Sequence, residues 1–198
     1  MIKSKKDYLA YLEADRLNLK CKKNVKDYLF HDIWRYQRLL RKVEYYQNCK
    51  RGPLARLILA YCYMRYYYLG KYMGIRVYPQ VFGPGLAIAH EGTIRVHKNA
   101  RIGANCRLHV CVNIGATGGT RDAPRIGNNV YIGPGAKIFG DITIADGVSI
   151  GANAVVNRSF HEPGITIAGV PAKKVSDRSA AQTGWQPKSS YIDESMMN

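Results

Sequence analysis

Two histidines are the clearest candidates for catalytic residues in the sequence. His90 lies in the segment GPGLAIAHEGT, and His109 follows it by 19 residues. A neutral imidazole is a suitable general base for taking the proton of a hydroxyl group, because it titrates near physiological pH. A single histidine is more often structural, but two histidines on one face of a regular coil favour a catalytic pair. We therefore predict that His90 is a general base and that His109 supports it.

An irregular segment, ATGGTRDAPR from Ala116 to Arg125, interrupts an otherwise regular pattern. Loops that project from a rigid scaffold often line binding sites, although a tolerated insertion would look the same. We expect this loop to lie beside the two histidines, with Arg121 and Asp122 contacting a substrate. Glu91, directly after the first histidine, is a further candidate for substrate contact or for orienting the imidazole.

Metal binding and covalent catalysis are weaker alternatives. His90, His97 and His109 are seven and twelve residues apart, with no HxxxH pair and no cysteine at ligand spacing. This spacing is not that of a zinc site, so we expect no metal. Cys106 and Cys111 suggest an acyl-cysteine route. Cys106 stands at a small-residue position and is interpreted as a filler, whereas Cys111 stays open as a residue that lines the site.

The strongest pattern is a repeat of six residues. Nine aliphatic side chains recur at intervals of six, with one interval of twelve. They are Ile102, Leu108, Ile114, Ile126, Ile132, Ile138, Ile144, Ile150 and Val156. An α-helix cannot place residues six apart on one face, and a flat sheet lacks such regular turns. The repeat predicts a three-sided coil, in which each hexapeptide is a short strand and a corner, and turns of about 18 residues stack about 4.8 Å apart.

The rest of the chain divides around this coil. We predict a helical region over residues 1–75, the coil over 76–175, and a tail over 176–198 that has no readable role and is partly disordered. Helices are expected over residues 6–19, from Asp32 onward, and over Leu54–Met73, where they would cap the open edge of the coil. An earlier turn of coil around Val77–Val96 fits the repeat only with a shift of two residues.

Charge and composition set the expected partners. The chain has 198 residues, a net charge of +16 and 46% hydrophobic residues, so it can bury a core. Residues 1–76 hold 18 Lys/Arg against 6 Asp/Glu. We interpret the basic residues of the second helix as a solvated face, with an anionic membrane surface or an acidic polysaccharide as the alternative partner. These residues are Arg35, Arg38, Arg41 and Lys42. No nucleic-acid motif accompanies the charge, so we expect no nucleic-acid partner.

The five cysteines and the apolar runs bear on location. The cysteines form no CxxC motif, and their odd number favours reduced thiols over a disulfide framework. The first residues lack the apolar run of a signal peptide, and the most apolar stretch, Leu54 to Leu69, is too short and too charged to span a bilayer. We expect a cytoplasmic protein.

The coil resembles a known family. The segments GPGLAIAHEGTIRVHKNARIGANCRLHVCVNIG, IGNNVYIGPGAKIFGDITIADGVSIGANAVV and AGVPAKKV are similar to serine O-acetyltransferases and their polysaccharide-cluster relatives, over roughly residues 75–175. The resemblance implies a left-handed β-helix, a homotrimer, and acetyl-CoA bound in clefts between neighbouring copies. It also implies that His90 is the catalytic histidine, that Pro134 and Ala152 contact the cofactor, and that Lys173 and Lys174 lie near its phosphates.

Three departures from the serine acetyltransferase pattern concern the acceptor. Ala89 replaces an aspartate before the catalytic histidine, Arg76 replaces an aspartate that orients it, and RDAPR replaces the usual DRHPK loop. A zwitterionic amino acid needs charged partners at both ends, whereas sugar hydroxyls do not. We therefore expect an acetyl-CoA-dependent O-acetyltransferase that acts on a sugar or a polysaccharide precursor. The alternatives are a serine O-acetyltransferase and a non-catalytic trimeric scaffold that binds an anionic surface.

Overall fold

A computed structural model describes residues 1–190, and the first part of the chain is helical. The helices are α1 (Lys5–Asn18), α2 (Val25–Phe30), α3 (Asp32–Cys49) and α4 (Pro53–Met73). Helix α4 begins with a proline in its first turn and ends at Gly74, whose φ of 74° is left-handed. The helices predicted over residues 6–19, from Asp32 onward and over Leu54–Met73 are confirmed as α1, α3 and α4. The patterns did not predict α2, because six residues are too few to show a helical period.

Fourteen short strands follow within residues 75–176. They are β1 (Ile75–Arg76), β2 (Ala87–Ile88), β3 (Ile94–Val96), β4 (Arg101–Ile102), β5 (Arg107–Leu108), β6 (Asn113–Gly115), β7 (Arg125–Ile126), β8 (Tyr131–Ile132), β9 (Lys137–Phe139), β10 (Thr143–Ile144), β11 (Ser149–Ile150), β12 (Val155–Val156), β13 (Thr166–Gly169) and β14 (Ala172–Ser176).

The strands form the three sides of a prism. The first sheet has the order β1-β3-β6-β9-β12, the second β4-β7-β10, and the third β2-β5-β8-β11-β13-β14. Apart from the antiparallel pair β13–β14, the pairings are parallel. From β2 onward the chain visits the third, first and second sheets in turn, so it winds as the three-sided β-helix that the repeat predicts.

The strand register agrees with the phase of the repeat. The β3–β6 pair joins residues 18 apart, which is one regular turn. The β4–β7 pair joins residues 24 apart, so the loop between them adds six residues without changing the phase. The β2–β5 pair joins residues 20 apart, which is the shift of two residues expected for the first turn.

The repeated aliphatic side chains fill the prism. Ile102, Ile132 and Ile150 are fully buried, as are most of the equivalent residues of the other turns. Burying each of them stabilises the fold by roughly 1.5–3 kcal/mol relative to exposure. The corners need small residues, because a Cβ added to Gly103 would lie 2.5 Å from the side-chain oxygen of Asn128.

Buried charges fasten the helices to the first turn of the coil. The fully buried Arg41 contacts carboxylates of Asp15 at 2.8 Å and Glu44 at 3.0 Å. It also donates to the backbone oxygens of Phe82 and Gly83. The interpretation of Arg41 as part of a solvated face is therefore wrong, since its guanidinium satisfies carbonyl groups at the open end of the coil.

The face that α1 buries also differs from the predicted one. The apolar residues whose roughly helical spacing predicts this helix are Tyr8, Leu9, Leu12, Leu17 and Leu19. The helix instead buries Tyr11, Ala14, Asp15 and Asn18, and 53% of Leu9 is exposed. Hydrogen bonding by polar side chains explains this choice of face. The carboxylate of Asp15 accepts hydrogen bonds from two backbone N–H groups, and the side-chain amide of Asn18 donates to the backbone oxygen of Gly85 and accepts from the backbone N–H of Lys188.

The segment after the coil packs on the third sheet. Trp185 is 4% exposed, and its indole N–H donates to the backbone oxygen of Asn105 at 2.9 Å. The same ring forms a buried cluster with Ala87 and Ala180. The backbone N–H of Ser189 then donates to the side-chain oxygen of Asn18. Part of the predicted tail is thus ordered against the coil, and residues 191–198 lie outside the described part of the chain.

Candidate active site

The two predicted catalytic histidines lie together at one edge of the prism. His90 follows β2 and His109 follows β5, and these strands are paired neighbours in the third sheet. Their ring centroids are 6.1 Å apart. We call the corner between the third and first sheets, where both residues lie, the histidine edge. His90 is exposed there and His109 is half-buried.

His109 is surrounded by groups that keep it neutral. The Nε–H of Arg107 donates to its Nε2 at 3.3 Å, and the ring of Tyr131 lies 5.1 Å away. Burial, the charge of Arg107 and the proximity of His90 lower the pKa of His109 to about 4. Each of these effects disfavours a second positive charge at this point. His109 is therefore uncharged at neutral pH, with its Nε2 acting as an acceptor.

Two of the predicted cofactor positions lie on the same edge. Pro134 follows β8 and Ala152 follows β11, and both residues are exposed. Because β2, β5, β8 and β11 are successive neighbours, these positions are two and three turns from His90, or about 10 and 14 Å along the coil axis. Two and three turns from His90, the histidine edge thus presents small exposed residues that leave the surface open.

The two predicted phosphate-binding lysines lie on β14, the outermost strand of the third sheet. The ammonium of Lys174 is 2.6 Å from carboxylates of both Glu162 and Asp177. Lys173 is exposed, and no ion pair is found for it among residues 1–190. Of the two, Lys173 is the better candidate for a phosphate, since the charge of Lys174 is already balanced.

The predicted acceptor-binding loop lies elsewhere. Residues 116–124 connect the first sheet to the second, so we call this corner the loop edge. A cavity of about 700 Å³ opens there. The charged and polar side chains that line it include Asn99, Arg101, Arg121, Asp122, Arg125, Asp141 and Thr143. Neither histidine lines this cavity. The expectation that the loop lies beside the histidines is therefore wrong within one chain, because the loop begins only after the chain has crossed another side of the prism.

Arg76, which stands where the resemblance implies an aspartate, has partners of its own. The Nε–H of Arg76 donates to the hydroxyl of Tyr78 at 3.2 Å, and its guanidinium also lies 5.7 Å from the ring of Tyr67. Arg76 thus belongs to an aromatic patch near α4. Glu91 is exposed beside His90, and its predicted role in substrate contact or orientation stays a prediction.

Comparison with known proteins begins with the repeat. Residues 123–158 match the model of the bacterial transferase hexapeptide (six repeats). The matched residues lie within the coil, from the end of the loop to just past β12.

Sequence relatives of the hexapeptide coil are named serine acetyltransferases. The chain is 35% identical to the serine acetyltransferase of Staphylococcus xylosus over 144 residues, which is 71% of this chain and 61% of that protein. It is 37% identical to the serine acetyltransferase of Helicobacter pylori strain J99 over 107 residues, which is 52% of this chain and 61% of that protein. The chain thus spans less than two thirds of these curated relatives.

Solved structures share the fold. The serine acetyltransferase of Brucella abortus superposes with a TM-score of 0.72 at 21% identity, covering 89% of this chain and 72% of that one. The Neisseria gonorrhoeae enzyme gives a TM-score of 0.68 at 27% identity, covering 89% and 69%. A Brucella abortus serine acetyltransferase in complex with coenzyme A gives 0.68 at 22% identity, covering 88% and 68%. The predicted left-handed β-helix with a helical N-terminal region is confirmed.

Thiol and metal chemistry find little support in the hexapeptide coil. Cys106 is buried, and burial raises the pKa of its thiol well above the ordinary value, which removes the nucleophilic thiolate. Cys111 is exposed at the histidine edge, where its backbone oxygen accepts a hydrogen bond from the ammonium of Lys137 at 2.6 Å. Within residues 1–190, no cluster of three or more His, Cys, Asp or Glu is arranged to hold a metal ion.

Sequence reasoning missed two neighbours of the histidines. Arg107 precedes His109 by two residues, and the two-residue period of a strand places both side chains on the same face, so this contact was readable from the sequence. Trp185, whose ring lies 5.2 Å from the guanidinium of Arg107, gave no such signal. It lies 78 residues beyond Arg107 and reaches it only because the C-terminal segment folds back over the third sheet.

Proposed function

We propose that the protein is an acetyl-CoA-dependent O-acetyltransferase in which His90 is the general base. The main support for the proposal is the arrangement of the histidine edge, where two imidazoles lie at one end of an open row of small residues. That row suits the long, thin pantetheine arm of acetyl-CoA. Lys173, on the outermost strand, suits the phosphates at the far end of the cosubstrate.

The proposed reaction is a direct transfer. Neutral His90 takes the proton of the acceptor hydroxyl while the hydroxyl oxygen attacks the thioester carbonyl. The C–O bond forms, and the resulting oxyanion is held by backbone N–H groups. When the intermediate collapses, the C–S bond breaks and His90 returns its proton to the departing thiolate. Because His109 remains neutral, the imidazolium formed at His90 does not face a second charged imidazole.

The separation of the two edges supports a homotrimer. Within one chain, Arg121 and Asp122 line a cavity that does not include His90. If the loop edge of one copy packs against the histidine edge of the next, the charged cavity and the base meet in a cleft between copies. We propose that the active sites are formed in this way, three to a trimer.

L-serine is the acceptor that the relatives favour, since those matched are named serine acetyltransferases. The loop edge adds physical support. Its cavity is lined by three guanidinium groups and two carboxylates, which can pair with the carboxylate and the ammonium of an amino acid. Arg101 and Asp141 supply further charges there from outside the RDAPR loop.

A sugar hydroxyl is the second candidate acceptor. Ala89 stands where serine acetyltransferases carry an aspartate before the catalytic histidine, and loss of that carboxylate removes a partner for an ammonium group. Arg76 stands where they carry the aspartate that orients the histidine. Assembly of a polysaccharide precursor would then be the process served. This was the acceptor expected from the sequence alone, and the names of the relatives favour serine over it.

An acceptor screen tests the proposal. Purified full-length protein is incubated with acetyl-CoA and either L-serine or a panel of free and nucleotide-linked sugars, and the release of coenzyme A thiol is followed. Thiol release that depends on serine supports the first acceptor, and release that depends on a sugar supports the second. Absence of transfer to every acceptor, together with no rise in melting temperature on adding acetyl-CoA, would favour the non-catalytic scaffold instead.

A further inference from the structure

Helix α4 carries an exposed apolar stripe along its whole length. Six residues recur at spacings of three or four, which places them on one face of the helix. They are Leu54 (70% exposed), Leu57 (69%), Tyr61 (53%), Met64 (51%), Tyr68 (61%) and Tyr72 (82%). At about 100° per residue, the six fall within a sector of about 80°, and they extend over about 27 Å.

The stripe is not the face by which α4 packs on the protein. The buried residues of the helix are Cys62, Tyr66, Gly70 and Met73. Their positions lie on the opposite side of the helix axis from the stripe, against α3 and the first sheet. Helix α4 therefore has one apolar face that packs on the core and a second one that is exposed to solvent. Isolated exposed apolar residues, which are common on protein surfaces, would not form such a continuous face.

The surroundings of the stripe are basic. Between Glu44 and Glu91 the sequence has no acidic residue but six Lys/Arg. On the helical projection, Arg65 lies along one side of the stripe and Lys71 along the other. A guanidinium N–H of Arg65 donates to the hydroxyl of Tyr61 at 3.3 Å, so this cation is held next to the stripe.

We propose that this face of α4 binds the surface of an anionic lipid bilayer. Leucine, methionine and tyrosine side chains suit the boundary between headgroups and acyl chains, and flanking cations suit anionic headgroups. No helix within residues 1–190 is long and apolar enough to cross a membrane, so α4 would lie in the plane of the surface. The inference does not depend on the acetyl-transfer proposal.

Charge decides between a bilayer and a second copy of the chain. Two copies that met through this face would bring cations of the same sign together, with no carboxylate on α4 to pair with them. An anionic bilayer supplies the opposite charge over the full length of the stripe, and each Lys or Arg near it adds to binding.

Co-sedimentation with vesicles tests the inference. The full-length protein is mixed with vesicles of equimolar phosphatidylglycerol and phosphatidylcholine, and separately with phosphatidylcholine vesicles, at low and high salt. We expect binding to the anionic vesicles that weakens with salt, and little binding to the neutral ones. L57S/Y72S should weaken binding by about tenfold or more, because it removes apolar area that the bilayer buries. R65Q/K71Q should weaken it by roughly tenfold.

A matched variant controls for general loss of surface hydrophobicity. V170S/V175S removes two exposed apolar side chains (73% and 60% exposed) from the other end of the coil, and it should bind vesicles like the unmodified protein. Melting temperatures of all variants should agree, because each altered side chain is exposed.

Failure to bind anionic vesicles overturns the inference, as does equal binding by L57S/Y72S. A smaller assembly in size-exclusion chromatography for L57S/Y72S without any vesicle binding would show that a second copy covers the stripe. Binding to a soluble acidic polysaccharide but not to vesicles would also overturn it.

Discussion

The histidine edge and the loop edge belong to the same β-helix but carry different chemistry. The histidine edge presents two imidazoles and small exposed residues, with single charges from Arg107, Glu91 and Lys137 around them. The loop edge presents a cavity of about 700 Å³ with guanidinium and carboxylate groups on its walls. One edge is suited to hold a base and a thin cosubstrate, and the other to hold a charged acceptor. In the proposed trimer, each edge supplies one part of the site.

The difference follows from how each corner is packed. At the histidine edge the corners are tight, since a Cβ added to Gly92 would lie 2.3 Å from a methyl group of Val110. At the loop edge six extra residues leave the coil, and Gly118 and Gly119 have no neighbour within 4 Å of an added Cβ. A regular coil can therefore position catalytic groups at one corner and accommodate an insertion at another, but it keeps the two apart.

The histidine edge should lose its activity when its base is removed. We expect H90A to lower turnover by about 10²–10⁴-fold, because the hydroxyl then attacks without a general base. Measurement of kcat with acetyl-CoA and the preferred acceptor checks this. H161A, which alters an exposed histidine outside this edge, should leave kcat unchanged. Retention of turnover in H90A would remove the histidine edge from the mechanism.

The loop edge should affect the acceptor and not the base. We expect D122N to lower kcat/KM for L-serine by about tenfold or more, mainly through KM, because a charge-assisted hydrogen bond to the ammonium group is lost. The same variant should change little with a sugar acceptor, since an amide oxygen still accepts a hydrogen bond from a hydroxyl. Steady-state kinetics with both acceptors measures the difference. An unchanged KM for serine would place the acceptor elsewhere.

A mixed oligomer tests whether the two edges meet between copies. Co-expression of H90A with R121A/D122A should give activity severalfold above that of either variant alone. The reason is that a cleft between an intact histidine edge and an intact loop edge forms only where the two kinds of chain adjoin. Assays of tagged, co-purified oligomers at low acceptor concentration provide the measurement. If the mixture is no more active than its parents, each site lies within a single chain.

The coil could be predicted from the sequence because its determinants are local. Each hexapeptide repeats the same requirement, an aliphatic residue for the interior and a small residue for the corner, so residues such as Ile132 and Ile150 report the fold without reference to distant contacts. The same counting placed His90 and His109 one turn apart. Because the interval across the loop is twelve, a multiple of six, the repeat also predicts that the coil resumes in phase after the loop, and the β4–β7 register confirms this.

The helical region and the complete site could not be predicted in this way. Arg41 is buried because two carboxylates and two carbonyl groups contact it from three separate segments. No periodic pattern in α3 distinguishes it from the half-buried Arg35 and Arg38. The loop was placed beside the histidines because both were assigned to the same scaffold. The corner of the prism that the loop occupies, and the corner that the histidines occupy, depend on the order of the strands around the prism. Only the structure shows that order.

The smallest expected effect concerns the environment of His109. Its folded-state pKa of about 4 is below the unfolded value of about 6.5, so the folded state resists protonation that the unfolded state accepts. Stability from this source is present above about pH 6.5 and is lost as the pH falls toward about 4. Since the ring is only half-buried and solvent screens it, we expect roughly 1 kcal/mol over this range.

Denaturant unfolding of the unmodified protein and of H109Q between these pH values measures the effect. The unmodified protein should lose more unfolding free energy on acidification than H109Q, because glutamine does not titrate. The charged and titratable groups around the ring, Arg107, His90 and Tyr131, are the same in both proteins, so the difference isolates one imidazole. Parallel pH profiles would mean that His109 is protonated as easily in the folded protein as in the unfolded one. The histidine edge would then contain a second cation close to the base, and its contrast with the charged loop edge would largely disappear.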